Sequence, residues 1–544
     1  AGALRPAGGP GAGLESRTLR WVAGVAGIVL LIACANVTNL QLARSLRRRR
    51  EFAMRRALGV RLGRLMRQSF TESLLLGLFG CAAGVVLAEW GGAVLRALLL
   101  PPGMATGVVT DWRTLTVALA CALVAGIVTG VAPAILATRD ELAPTLRAGA
   151  RAGTYQRSAL RTTLLVTQGA LSVLLLIGAA LFVRSLENVR SLRLGYDPEP
   201  VLIAHVNFRA REDSALRVAV LRSTLERARA IPGVEAAARA NNRPFATNTE
   251  LLYVPGVDSV QRLGRFVTQV VTPDYFSVVG TRLLRGRPLT EADDSRSERV
   301  MVASEAMASA LWPGQDALGK CVRVGSEARP CTHVVGIAED AAYYSLTEGP
   351  WLAYYVPVEQ QGPHWGQNIV LRIGGGRATE AMERVRRELQ RELPADVYVT
   401  VRGFDEYVAP QRRTWLLGAT MFVAFGGLAL LVAAVGLYGV IGYNVAQRMH
   451  ELGIRIALGA RAPHVVRLVV GQGVAFAAGG VAIGVALSLI VSAWVQPLLF
   501  RQSARDPVVY GMVAAAMVLV AVLASLFPSL RAVRADPNTA LRTD

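Results

Sequence analysis

The stretch Glu451-Leu-Gly-Ile-Arg455-Ile-Ala457-Leu458-Gly459-Ala460-Arg461 decides how the rest of the chain is read. It stands 400 positions earlier as Glu51-Phe-Ala-Met-Arg55-Arg-Ala57-Leu58-Gly59-Val60-Arg61, with six of eleven positions identical. Working outward, Gly80 and Gly84 match Gly480 and Gly484 at the same offset. The register then slips by five, so that Pro133, Arg139, Leu146 and Arg147 match Pro528, Arg534, Leu541 and Arg542. Apolar helices look alike by composition alone, but charges and prolines held at fixed distances do not, so the block reads as an internal duplication.

Composition says what kind of block this is. Hydrophobic residues make up 52% of the 544 and charged residues 18%, with a mean hydropathy of +0.38. Soluble domains carry about a quarter charged residues and disordered chains far less apolar character, so both classes are excluded in favour of a membrane protein. A bilayer core of about 30 Å needs roughly 20 apolar residues in a helix. Seven windows meet this: Trp21–Ala43, Ser69–Ala88, Arg113–Thr138, Leu160–Val183, Trp415–Tyr443, Leu468–Trp494 and Val508–Leu530.

The net charge of +20 would suggest nucleic acid on a soluble surface, but its placement excludes that reading. Segments 43–67, 139–161, 444–467 and 531–544 hold +16 of it, each against an apolar run. Basic flanks stay on the cytoplasmic side during insertion. Seven transmembrane helices are therefore expected, with the N-terminus outside and the C-terminus cytoplasmic. Tryptophan, which favours the headgroup level, agrees: Trp21, Trp90, Trp112, Trp415 and Trp494 fall at predicted outer ends. The opening residues, dominated by Gly, Pro and Ala, show no signal-peptide pattern, and the chain reads as trimmed at its front.

Between the fourth and fifth windows the apolar period changes. Val201–Asn207 alternates as a strand, Ser214–Ala230 has helical spacing, and Val234–Ala240 is strand-like again; Asn368–Ile373, Thr379–Glu392 and Val397–Val401 repeat the order. This predicts a large extracytoplasmic α+β domain of two β-α-β units around an inserted β-rich subdomain, Leu251–Val358. The expected organisation is a remnant or linker over 1–17, a three-span domain over 18–150, a cytoplasmic linker and fourth span over 151–183, the external domain over 184–413, and a second three-span domain over 414–544. Cys321 and Cys331 flank a Gly-containing turn in that external domain. A disulfide is expected in an oxidising compartment, two free thiols being the alternative.

Chemistry-bearing patterns are few. Gly314 to Cys321 nearly fits a phosphate-binding loop, with Lys320 in place, but Cys321 stands where a magnesium-ligating hydroxyl is needed, and Trp312-Pro313 precede it instead of a strand. His205, His333, His364, His450 and His464 have no metal-ligand spacing. No nucleophile elbow occurs. The expected catalytic, cofactor and metal sites are none. No predicted span has a central carboxylate or His, which disfavours ion-coupled transport. Gly80/Gly84 and Gly480/Gly484 are spaced for close helix packing. The repeated motif is the functional candidate: Glu451 and Arg455, like Glu51 and Arg55, pair at i and i+4, and Gly459 or Gly59 is placed to end the helix.

The motif resembles the cytoplasmic Glu-x-Gly-x-Arg-x-Ala-Leu-Gly-Ala of MacB/FtsX-type ABC transporter permeases. Gln168-Gly-Ala-Leu-Ser172, Gly195-Tyr-Asp-Pro198, Pro273-Asp-Tyr-Phe276 and Leu284-Arg-Gly-Arg287 are similar to further family stretches. The order is similar to the duplicated orphan permeases of that family (ADOP-like), N-terminally truncated by a first span and first external domain. Ala53 and Val60 depart from the motif.

The resemblance implies a multi-pass protein of the bacterial inner membrane with residues 184–413 in the periplasm. It also implies a separate cytoplasmic ABC ATPase dimer that binds ATP and magnesium, with no ATPase site in this chain. ATPase coupling would fall on Glu51, Arg55, Ala57, Leu58 and Gly59, and on Glu451, Arg455, Ala457, Leu458 and Gly459. Membrane lipid, a periplasmic adaptor and an outer-membrane component are the other implied partners, and nucleic acid is not one. The competing expectation is a membrane-anchored external binding or signalling module that needs no ATPase.

Overall fold

A computed structural model describes residues 12–47, 54, 60, 62–99, 112–139, 159–208, 214–243, 248–257, 260–343, 346, 351–362, 365–375, 378–458 and 461–533. They form two compact units, one of residues 1–188 with 415–544 and one of residues 189–414. The helices in chain order are α1 (Ala12–Arg47), α2 (Leu62–Leu99), α3 (Trp112–Arg139), α4 (Ala159–Arg190), α5 (Ser214–Ala230), α6 (Tyr275–Val279), α7 (Glu305–Leu311), α8 (Ala378–Gln390), α9 (Asp405–Gln447), α10 (Met449–Ala457), α11 (Ala462–Val495) and α12 (Pro507–Val533).

In the helical unit, small residues set how closely helices approach, as expected where lipid removes the hydrophobic drive between them. α2 lies along α3: a Cβ on Gly77 would stand 3.1 Å from the Ala122 carbonyl, and one on Gly126 would stand 3.4 Å from Leu74 Cα. α4 packs on α9 through Gly178 against Phe422 and Gly418 against Phe182, and the two phenylalanine rings stack at 4.6 Å. Polar donors tie the same pair, Gln168 Nε2 to the Val432 carbonyl at 3.0 Å and Ser172 Oγ to the Ala429 carbonyl at 3.3 Å.

The expectation of seven spans is corrected. Six helices among the described residues are long and apolar enough to cross a membrane: Ala23–Leu42, Phe70–Ala93, Arg161–Arg190, Trp415–Gln447, Ala462–Leu498 and Pro507–Arg531. The window Arg113–Thr138 falls on α3, whose described apolar run is Thr114–Gly130. At 1.5 Å per residue that run reaches about 25 Å, short of the hydrocarbon thickness. The chain is an α-helical membrane protein, with six long apolar helices among its described residues and a large β-rich extracytoplasmic domain that is not a barrel.

That domain carries strands β1 (Val201–Phe208), β2 (Val234–Ala240), β3 (Asn248–Thr249), β4 (Leu252–Tyr253), β5 (Phe266–Val271), β6 (Leu283–Gly286), β7 (Val300–Ser304), β8 (Cys321–Val324), β9 (Thr332–Ala338), β10 (Leu352–Pro357), β11 (Asn368–Ile373) and β12 (Val397–Gly403). The main path runs β12-β1-β11-β2-β5-β10-β7-β9-β8-β4, with β3 on β5 and β6 on β9. β1 pairs antiparallel with both β11 and β12, and β11 with β2. The β1-α5-β2 and β11-α8-β12 units are thus interleaved, each strand of one lying beside strands of the other.

Alternation fixes which face is covered. Leu202, Ala204 and Val206 of β1, Ile369 and Leu371 of β11, and Val397, Val399 and Val401 of β12 bury against Leu221 and Leu225 of α5 and Val385 and Leu389 of α8. β5 and β10 are buried along their whole length and pair in parallel, as sheets covered on both faces do.

The inserted region shares one sheet with the outer units instead of standing apart. Asn241 makes the join: its N–H donates to the Val270 carbonyl at 3.0 Å, and its side-chain oxygen accepts from Val270 N at 2.8 Å. At the free edge, the Gln390 side chain donates to the Val397 carbonyl and accepts from Val399 N.

Candidate functional site

The second copy of the repeated motif forms α10, a short amphipathic helix between α9 and α11. Its anchor is Leu452, 2% exposed, packed with Ile441, Val445, Val465, Val469 and Ala521. Burying a leucine is worth about 1.5–3 kcal/mol, so this contact holds the helix to the bundle. Glu451 and Arg455 face outward and pair at 2.7 Å, with Arg448 3.6 Å from the same carboxylate. Both members of the i,i+4 pair are about half exposed, so it adds only about 0.3–0.5 kcal/mol. Its value is to fix where two charges stand.

The outward face also carries apolar side chains. Ile454 is 41% and Leu458 83% exposed. The Leu458 N–H closes the last turn on the Ile454 carbonyl at 2.9 Å. Arg461 is extended ahead of α11, and proline at the first turn of α11 starts that helix without needing a donor. Ala457 is the last residue of α10; Gly459 lies outside the described residues. So do Glu51, Arg55, Ala57, Leu58 and Gly59 of the first copy. Met54, which the repeat aligns with Ile454, is described and is 51% exposed. Sequence reading singled out the charges and the helix-ending glycine. It missed the exposed apolar pair Ile454 and Leu458, although their i,i+4 spacing opposite Leu452 was there to be read.

The glycine pairs differ between the two copies. A Cβ on Gly480 would stand 3.2 Å from Gly169 Cα, and one on Gly484 would stand 2.6 Å from the Ala170 carbonyl oxygen and 2.7 Å from Val173 Cβ, so α11 and α4 touch backbone to backbone. Among the described residues nothing lies within 4 Å of where a Cβ on Gly80 or Gly84 would stand. In the β-rich domain Cys321 and Cys331 are disulfide-bonded, their Cα atoms 5.3 Å apart.

That domain also contains a charge centre the sequence did not announce. Glu339, 7% exposed, accepts from Arg193 Nε at 2.8 Å, from Arg282 Nη2 at 2.9 Å and from Arg282 N at 2.8 Å. Burial works to raise its pKa, but the hydrogen bonds from Arg193, Arg282 and the Arg282 backbone outweigh it and hold the carboxyl down to about 2. The His205 pKa is also lowered, but by burial, which its hydrogen bond to Asn368 opposes. Among the described residues no three His, Cys, Asp or Glu side chains are grouped to hold a metal.

Comparison with known families settles what this arrangement belongs to. The profile of the FtsX-like permease C-terminal family matches twice, over residues 23–142 and 423–537. The MacB-like periplasmic core domain matches residues 162–392, between them. The chain belongs to the MacB/FtsX-like ABC transporter permease family.

Similar curated proteins include the macrolide export ATP-binding/permease protein MacB of Chromobacterium violaceum, 24% identical over 49% of this chain and 42% of that protein. MacB of Escherichia coli K12 is 26% identical over 50% of this chain and 42% of that protein. This FtsX-like permease thus spans less than half the length of these relatives. Among solved structures, the periplasmic region of MacB from Actinobacillus actinomycetemcomitans matches 41% of this chain and 95% of its own, at 17% identity and a TM-score of 0.28. In this FtsX-like permease, the second profile match takes in all of α10, including Glu451, Leu452 and Arg455.

Proposed function

We propose that this permease works with a separate cytoplasmic ABC ATPase dimer, and that ATP-driven closure of that dimer pushes on the two motif segments and reshapes the extracytoplasmic domain. The observation that carries this reading is the division of labour on α10. Leu452 ties the helix into the bundle, while Ile454, Leu458 and the Glu451–Arg455 pair are turned outward. A helix held on one side and exposed on the other transmits force and offers a mixed apolar and charged contact to a partner. Met54 gives the first copy an exposed apolar side chain at the matching position, which suits two pseudo-equivalent halves of one chain to the two halves of a dimer. The protein would sit in the bacterial inner membrane with residues 184–413 in the periplasm, as a duplicated member of the family in which one copy precedes the periplasmic domain. Its output would be export or handling of substrate outside the bilayer.

The test is co-purification of the full chain from its host membranes, with ATP hydrolysis of the isolated complex as readout. Leu458→Glu and Arg455→Glu should each remove the ATPase without reducing membrane-inserted protein. Retention of the ATPase by both variants overturns the reading and leaves an anchored external module.

A further inference from the structure

The β-rich domain holds a cleft on the sheet face turned away from α5 and α8. Ile203 of β1 and Val370 of β11 stand opposite each other in register and line it, alternating with the residues that face the helices. Its walls are four rings, Tyr196, Tyr275, Tyr343 and Phe404, each no more than 7% exposed. Tyr196 belongs to the Gly195–Pro198 stretch and Tyr275 to the Pro273–Phe276 stretch, two sequence features that force transmission leaves unused. The space amounts to about 330 Å³ counted with its open mouth, but water-sized groups can occupy only about 10 Å³ of it, room for about one.

One group in this space is unanswered. Gln269 of β5 is 1% exposed and lines the cleft, and its Oε1, sealed from solvent, has no hydrogen-bond partner among the described residues. An acceptor buried without a donor destabilises the fold, so the site favours whatever brings one. Neighbouring polar groups are already engaged. The Tyr196 hydroxyl donates to the Ala342 carbonyl at 3.1 Å, the Tyr343 and Tyr355 hydroxyls share a bond of 2.6 Å, and Asn242 Nδ2 donates to the Thr268 carbonyl at 2.7 Å. A lone water would therefore find few partners, where buried waters make about three. A hydroxyl carried on a larger molecule needs only the one acceptor, because its body is held elsewhere. At the mouth, Arg243 lines the cleft and is exposed, and exposed Arg402 is the register neighbour of Ile203. Among the described residues no carboxylate lines the cleft.

We propose that this cleft binds a small hydroxylated ring acid, with its hydroxyl donating to Gln269 Oε1, its ring in the aromatic-lined mouth and its carboxylate paired with Arg243. Space for one water-sized group admits the hydroxyl and not the ring, which sets the order of the groups along the cleft. A ring without the hydroxyl leaves the amide oxygen unpaired. An ammonium in place of the carboxylate meets arginine with no acidic side chain to balance it. The proposal rests on the cleft alone and not on ATPase coupling.

The test is calorimetric titration of the full chain in detergent with 4-hydroxyphenylacetate, phenylacetate and tyramine. 4-Hydroxyphenylacetate should saturate at one per chain, and the other two should each bind at least about tenfold more weakly. Gln269→Leu should bring 4-hydroxyphenylacetate down to the level of phenylacetate while leaving phenylacetate binding as in the parent. Arg243→Ala should remove the advantage of 4-hydroxyphenylacetate over tyramine and, as a change at an exposed residue, should keep the parent Tm. Absence of saturable 4-hydroxyphenylacetate binding overturns the proposal and leaves at most an ordered water in the cleft. A preference for the hydroxyl that survives Gln269→Leu, or a preference for the acid that survives Arg243→Ala, overturns it as well.

Discussion

Leu452 and Leu458 occupy opposite environments on one short segment: the first is sealed at 2% exposure between α9, α11 and α12, and the second stands at 83% less than two turns later. Leu452→Ala should therefore cost about 2–4 kcal/mol in the stability of the helical unit. Leu458→Ala should fall within about 0.5 kcal/mol of the parent. Thermal unfolding in detergent of the two variants side by side gives the comparison. Equal losses would mean that Leu458 is covered in the folded protein.

The Glu451–Arg455 pair is exposed at both ends. Glu451→Gln should change stability by no more than about 0.5 kcal/mol, an effect that shrinks further in high salt. Its effect on ATP hydrolysis by a coupled complex should be far larger than its effect on Tm. A loss of folded protein comparable to that of Leu452→Ala would show the pair to be structural.

Glu339 makes the β-rich domain acid-sensitive. Its pKa is depressed below the unfolded value, so the stability it contributes is fully present above about pH 5 and is lost as the pH falls toward 2. With both arginines more than half exposed, the discounted contribution is about 1–2 kcal/mol. Glu339→Gln should flatten the pH dependence of domain unfolding over that window, followed by tryptophan fluorescence. An unchanged acid limb would assign the sensitivity to other carboxylates.

The Cys321–Cys331 bond closes a short loop between β8 and β9. Constraint of the unfolded chain by a loop of this size is worth about 2–3 kcal/mol. Reduction, or Cys321→Ala with Cys331→Ala, should lower the Tm of the β-rich domain by several degrees and leave the helical unit's unfolding untouched. Identical unfolding with and without reductant would remove the bond from the stability of the domain.

Local periodicity carries the strand–helix–strand segments of the β-rich domain: Val201, Ser214, Val234, Asn368 and Val397 open elements where the alternation changes. Such patterns report which face is covered, and one buried face leaves its mark on every second residue. Non-local facts leave no such mark. The sequence gives no sign that Asn241 splices the central strands to the outer ones, that Arg193 and Arg282 converge on Glu339, or that Asn36 meets Gly436. Each joins residues from distant parts of the chain by geometry alone.

The excess span came from counting Arg113–Thr138 as one apolar run, where the apolar segment among the described residues is Thr114–Gly130. For the motif, charge spacing was legible in Glu451 and Arg455. The outward turn of Ile454 and Leu458 was not, because it depends on where Leu452 finds its pocket.

Gln390 has a consequence beyond its own two hydrogen bonds. By occupying the outward N–H of Val399 and the outward carbonyl of Val397, it blunts the border at which a neighbouring chain could have added itself. A sheet this wide would otherwise present, wherever many copies crowd together, a template for runaway strand-by-strand stacking. At the β12 border, one amide side chain already fills the places where such an added strand would begin to pair.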